Sequence, residues 1–206
     1  MEGGEEASIE RLEKNRLENM TDAIFAFAMT LLVLNIEVAQ QGFSSGGLDP
    51  VVALLASIMP DFFHYFTAFL VLAAFWAVHH RYFEKFSKID RISLVLGIGA
   101  LAMIALVPFS ADLADTYIDY PLSAIVFEVN VAVIGAFFYL QWIYAERRKG
   151  LLKEKIEPRA SARIVRGILV LPAASILAIA IALMGFTWSV LIVFAALPVY
   201  ALFAYK

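Results

Sequence analysis

Side chains able to do chemistry are scarce in the apolar parts of this sequence, and most of those present coordinate rather than react. The first long apolar run, about residues 20–38 (MTDAIFAFAMTLLVLNIEV), holds Asp22 near its start, Thr30 in its middle, and Asn35 and Glu37 near its end. Ionisable groups at membrane depth are costly and normally face protein or water. Hydroxyl, amide and carboxylate oxygens of this kind offer weak coordination to a passing cation. The second apolar run carries Asp61 and His64 three residues apart, a polar patch or vestibule lining at its outer end, and ends in the adjacent pair His79–His80. Neighbouring residues on a helix point about 100° apart, so that pair is a poor chelate for one ion. The chain has no cysteine, which removes disulfides, thiolate ligands and cysteine nucleophiles. No Ser/His, Asp/Asp or metal-ligand constellation has the spacing or depth catalysis needs. An enzyme, a resident metal and a cofactor are therefore not expected.

The elements that position these groups follow from the charges. All 16 Lys and Arg fall in four patches: Arg11 to Arg16, Arg81 to Arg91, Arg147 to Arg166, and Lys206. The alternate connections, 39–50, 111–120 and 184–188, contain none. That is the positive-inside pattern of a polytopic membrane protein, with an even number of crossings and both termini cytoplasmic. At 62% hydrophobic, the chain exceeds the roughly 45–50% of soluble domains. A span needs about 20 mostly apolar residues, and six stretches qualify, at about 20–38, 51–79, 92–111, 121–145, 164–184 and 187–205. The expected fold is all-α, one six-helix transmembrane domain over 1–206. Residues 1–15, too polar for a signal peptide, form a short cytoplasmic helix or tail. The basic connection ERRKGLLKEKIEPRASARIVR suits the cytoplasm, its middle lying as an amphipathic helix at the lipid surface. Pro108, Pro172 and Pro198 are expected to bend their spans. Trp76, Trp142, Tyr139, Tyr144, Trp188 and Tyr205 are expected at the membrane interfaces.

On a helical wheel, Phe27, Leu31, Leu34 and Val38 form one narrow stripe, flanked by Thr30 and Glu37 on one side and Asn35 on the other. Phe25, Ala28 and Leu32 point elsewhere. Two readings stay open. In one, the stripe packs against another helix and the Thr30 hydroxyl bonds back to a carbonyl one turn earlier. In the other, it faces a symmetric axis, where small polar groups beside bulky apolar ones line a path that a hydrophobic constriction closes.

The run Arg16-Leu-Glu-Asn-Met20-Thr21-Asp22, followed by AIFAFAMTLLVLNIEV, resembles the first-helix signature of the transmembrane protein 175 family: Arg, three residues, then Phe-Ser-Asp. The likeness continues through Trp76-Ala-Val-His79-His80-Arg-Tyr-Phe83, Asp90 and Val107-Pro108-Phe109-Ser110, so it covers about residues 16–115 and is topological beyond. Family members are potassium channels, with one six-helix repeat per chain in prokaryotes and two in lysosomal forms. The family has no carbonyl filter, and this chain has no TVGYG-like or re-entrant filter segment. The resemblance implies a homotetramer whose first helices line the pore. It also implies apolar constriction rings at Phe27, Leu31 and Leu34, and a selectivity-related polar ring at Thr30. Asn35 and Glu37 would add pore-lining polar groups. Met20 and Thr21 depart from the motif Phe and Ser, and Phe27 stands where Ile or Leu is usual, which bears on the tightness of the constriction.

Arg16, Thr21, Asp22, His79, His80 and Asp90 gather near the cytoplasmic ends of the first three spans. A structural network tying the first helix to the next two is the favoured reading, against a histidine pH sensor or a metal site at Asp22, His79 and His80. Arg16 and Asp22, six apart, do not share a helix face. The expected function is a potassium-permeable cation channel in the cell membrane, multi-pass, closed by a hydrophobic gate. Its partners would be copies of itself and the lipid bilayer, without nucleic acid, and K+ would be the permeant ion. The alternative is a secondary, proton-coupled cation transporter, which wants paired midplane carboxylates; only Thr30 and a few prolines are read as lying near the midplane.

Overall fold

The computed structural model describes residues 2–36 and 49–205. Helix α1 runs Glu2–Leu31 and tightens into a 3-10 turn at Leu32–Asn35; α2 is Pro50–Ser57 and α3 Met59–Phe83. Then come α4 (Arg91–Ala105), α5 (Val107–Thr116), α6 (Pro121–Arg147), α7 (Pro158–Leu183), a 3-10 turn at Thr187–Ser189, and α8 (Val190–Tyr205). Five helical stretches are long and apolar enough to cross a membrane: Lys14–Asn35, Met59–Phe83, Arg91–Thr116, Pro121–Arg147 and Pro158–Leu183. The protein is therefore an all-helical, multi-pass membrane protein.

Proline and aspartate set the boundaries. Pro50, Pro60, Pro108, Pro121 and Pro158 stand in the first turn of their helices, where a missing N–H costs nothing. Asp49 caps α2 through Val51 N at 2.8 Å, and Asp90 caps α4 through Ser93 N at 2.9 Å. Two stretches expected as single spans are each broken, at Ile58 before Pro60 and at Leu106 before Pro108. Pro60 and Pro108 lack the N–H that would bond to the carbonyl four residues back, so the hydrogen-bond ladder is interrupted there and the helix restarts.

At the centre lies α6, packed along α4, α5 and α7, while α8 packs on α7 and α3, and α1 lies at one edge against α4, α3 and α5. The inward stripe of α6 is Phe127, Val131, Ile134, Phe138, Trp142 and Ala145, all buried. Phe138 meets Phe75 edge-on at 5.8 Å between centroids and Tyr82 at 5.7 Å. Gly135 lets α6 and α7 touch: a Cβ there would lie 1.9 Å from Pro172 Cγ. Gly185 turns the α7–α8 hairpin with φ +91°, a conformation that favours glycine.

Two expectations are corrected. The basic connection between α6 and α7 holds no amphipathic helix. It runs antiparallel to the α3–α4 connection instead, with Ser87 N bonded to Leu151 O at 2.8 Å and Lys153 N to Lys85 O at 2.9 Å. Phe86 and Leu151 are buried at this junction, which satisfies apolar surface that a lipid-facing helix would otherwise have to cover. Trp142 is not an interfacial anchor: it is fully buried, with its indole N–H donating to Ser161 Oγ at 3.3 Å. Lys14 sits over the Phe83 ring at 5.5 Å, so three of the basic patches meet at one end of the bundle.

Candidate ion pathway

Helix α1 has two apolar faces with different fates. Leu17, Thr21, Phe25, Ala28 and Leu32 recur every three or four residues and are buried against the body of the protomer. The Thr21 hydroxyl is buried with them and donates to Leu17 O at 2.8 Å. Turned the other way, Phe27 is 65% exposed and Leu34 72% exposed. Thr30 is exposed between them, and Leu31 is half-buried at the edge of that face. Phe27, Thr30 and Leu34 thus share one uncovered side of the helix, spaced at about one turn. The Thr30 hydroxyl donates to Phe27 O at 2.8 Å, the bond to a carbonyl one turn earlier expected if the stripe packs against another helix, while the residue itself stays exposed.

Asn35 lies beside that face rather than fully on it. Its amide Nδ2 donates to Pro108 O at 2.9 Å, pinning the 3-10 end of α1 to the start of α5. Nearby, His64 Nδ1 pairs with Asp115 Oδ1, and the two, with Leu32, Asn35, Asp61, Tyr65 and Ala111, surround a cavity with room for about one water. Glu37 and Val38 lie outside the described residues.

At the basic end, Asp22 accepts from Trp76 Nε1 at 2.9 Å, tying α1 to α3. Trp76 also stacks on His80 at 5.7 Å, and exposed His80 pairs with Glu84 at 3.4 Å. His79 turns inward, buried and stacked on Phe83 at 4.9 Å. Asp90 caps α4 and accepts from Tyr144 Oη at 2.5 Å. Arg16 is exposed and does not pair with Asp22 among the described residues. The candidates at this end therefore form separate ties between neighbouring helices. Among the described residues no group of three His, Cys, Asp or Glu has metal-ligand geometry.

Sequence reasoning missed three ties between helices. Trp76, expected at the lipid interface, is the partner of Asp22. Tyr82 donates to Gln141 Oε1 at 2.6 Å and Gln141 Nε2 to Ser93 O at 2.9 Å, a buried link across α3, α6 and α4. Glu128, fully buried in α6, accepts from Ser189 Oγ at 2.5 Å. A single acid inside an apolar run is its signal.

Residues 16–108 match the family model described as endosomal/lysosomal potassium channel TMEM175. A potassium channel of Chamaesiphon minutus is 30% identical over 152 residues, covering 72% of this chain and 73% of the relative. The chain belongs to the TMEM175 family. Human TMEM175, named an endosomal/lysosomal proton channel, is 25% identical over 154 residues, 73% of this chain but 29% of the human protein. The crystal structure of a lysosomal potassium-selective channel TMEM175 homolog from Chamaesiphon minutus superposes with a TM-score of 0.80 at 24% identity, covering 94% of this chain and 99% of that one. At that identity the likeness establishes the TMEM175 fold. The TMEM175 family is one of channels, so the polar groups of α1 are to be weighed as ion-path residues rather than as catalysts.

Proposed function

We propose that this chain forms a potassium-permeable cation channel, a homotetramer in the cell membrane whose pore is lined by α1 and closed by an apolar constriction. In this reading the whole chain is one six-span domain. The sixth span is α8, which at 16 residues is about 24 Å long and reaches across with help from the turn before it. The termini and the basic end lie in the cytoplasm, as the charge pattern requires. Phe27, Leu31 and Leu34 supply the constriction, and Thr30 supplies the polar ring between Phe27 and Leu34. Asn35 and Glu37 belong to the wider mouth. Arg16, Thr21, Asp22, His79, His80 and Asp90 serve the scaffold that seats α1.

The observation that carries this reading is the two-sidedness of α1. A helix at the edge of a protomer, clamped by one apolar face, presents a second face of alternating bulky apolar and small polar groups to whatever surrounds it. Exposed apolar side chains occur on every helix of the bundle and suit lipid as well as a neighbour; what sets this face apart is the threonine hydroxyl among them, which suits water or an ion better than lipid. The purified protein in liposomes tests the function: a potassium gradient alone should drive flux, with no second ion required. The name of the human relative makes protons the competing permeant ion, and flux driven by a pH gradient but not by potassium would favour it. Strict coupling of potassium to another ion would favour a transporter.

A further inference from the structure

Glu128 lies seven residues inside α6, about 10 Å along the helix from Pro121, and exposes none of its surface. Its Oε1 accepts from Ser189 Oγ at 2.5 Å, at the turn that leads into α8. Its Oε2 is buried without any hydrogen-bond partner. No charged side chain pairs with it among the described residues. The elements packed around it offer none: α7 between Ile168 and Leu183, and α8 between Val190 and Val199, carry no ionisable side chain. The ionisable groups on the other neighbours at this end of the bundle are Asp112 and Asp115 on α5 and Asp61, His64 and Tyr65 on α3; those of α3 from His79 onward and Arg91 of α4 lie at the opposite, basic end, and Tyr200 follows Ser189 by about three turns along α8. His64 and Asp115 pair with each other, and His64 shares a small cavity with Phe127 and Val190, the chain neighbours of Glu128 and Ser189.

A carboxylate in this position would be a buried charge with one donor and no counter-ion. A buried hydroxyl lacking one partner is far less costly than a buried charge lacking one. We propose that Glu128 is a proton-binding site of the bundle: at neutral pH it is the neutral acid, with Oε1 accepting from Ser189 and Oε2 holding the proton that lets the α8 turn dock on α6. Loss of that proton sets a charge between α6 and the start of α8. Helix α8 in turn meets α3 through Phe194 and Phe63, whose rings are 5.3 Å apart, and α3 holds α1 through Trp76 and Asp22. The proton on Glu128 is thereby linked to the seat of α1.

Infrared spectra of the full protein in bilayers at neutral pH test the site without reference to ion conduction. The wild type should show the carbonyl stretch of a protonated carboxylic acid, Glu128→Gln should lack it, and Asp115→Asn should keep it. Ser189→Ala, which removes only the donor, should keep the band at a shifted frequency, and it serves if Glu128→Gln does not fold. A spectrum with no acid band in the wild type, or a band that survives Glu128→Gln, would overturn the proposal; the first result would mean a carboxylate held by water or a cation. The link to α1 rests on the channel reading and has its own arm. Flux from the wild type should change as the pH is raised through the loss of the acid band, and flux from Glu128→Gln should not. An unchanged wild-type flux across that loss would refute the link and leave the infrared result standing.

Discussion

Breaking the tie between Asp22 and Trp76 should weaken the seating of α1 without changing which ion passes. Trp76→Phe removes the indole N–H and keeps an aromatic ring to stack on His80, which now lies 5.7 Å away. Asp22→Ala removes the acceptor. The bond is 2.9 Å long, and a hydrogen bond to a charged group contributes about 1.5–3 kcal/mol when buried. Trp76 is 41% exposed and Asp22 is exposed as well, so about 1 kcal/mol per protomer is the fitting figure. In the homotetramer proposed above, four protomers would sum to about 4 kcal/mol for the assembly, provided the sites act independently. For a chain of this length about 1 kcal/mol corresponds to roughly 2–4 °C in Tm. The assay is a double-mutant cycle on thermal stability and oligomer integrity, with potassium-to-sodium preference measured in parallel. The double variant should be more stable than the sum of the two single effects predicts, by that coupling energy. Strict additivity would refute the tie. An intact assembly with altered ion preference would place Asp22 in the ion path instead.

Thr30→Ala should lower the preference for potassium over sodium in reconstituted flux, while Phe27→Ala or Leu34→Ala should raise conductance; unchanged currents from both of the latter would take α1 out of the pore. Gly135→Ala drives a methyl to within 1.9 Å of the rigid Pro172 ring, so α6 and α7 must separate. A cost at or above the roughly 1–3 kcal/mol of core overpacking should appear as a lower Tm, and an unchanged Tm would mean the two helices are not packed this way. Tyr82→Phe strips the donor from buried Gln141 Oε1 and should destabilise by about 1–3 kcal/mol, with ion preference retained.

Much of this architecture is legible because a membrane separates residue types so strongly. The Lys and Arg patches mark loops that meet at one end, and apolar length marks five of the six expected spans; the stretch at 187–205 holds only the shorter helix α8. The wheel separates Phe27 and Leu34 from Phe25, Ala28 and Leu32, and in the structure the first pair is exposed and the three others are buried. That contrast depends only on helical periodicity, which a local sequence carries. Partners across helices are not local. Nothing near Asp22 points to Trp76, 54 residues away, and nothing near Asn35 points to the carbonyl of Pro108. Trp142 resembles an interfacial tryptophan by position alone; its burial against Tyr82 and Ser161 makes it core. The α6–α7 connection reads as an amphipathic helix because its charges alternate with Leu151, Leu152 and Ile156. Its apolar residues instead find Phe86 on a neighbouring loop.

The central claim, that the open face of α1 looks toward copies of itself, can be put to one measurement. The chain has no cysteine, so single-cysteine variants report without background. Leu34→Cys and Thr30→Cys, treated with a short thiol cross-linker in native membranes, should yield covalently joined copies. Ile176→Cys, 63% exposed on α7 and far from α1 in the order of packing, should stay monomeric. Cross-linking at Ile176 with none at Leu34 or Thr30 would put α7, not α1, between the subunits and contradict the account.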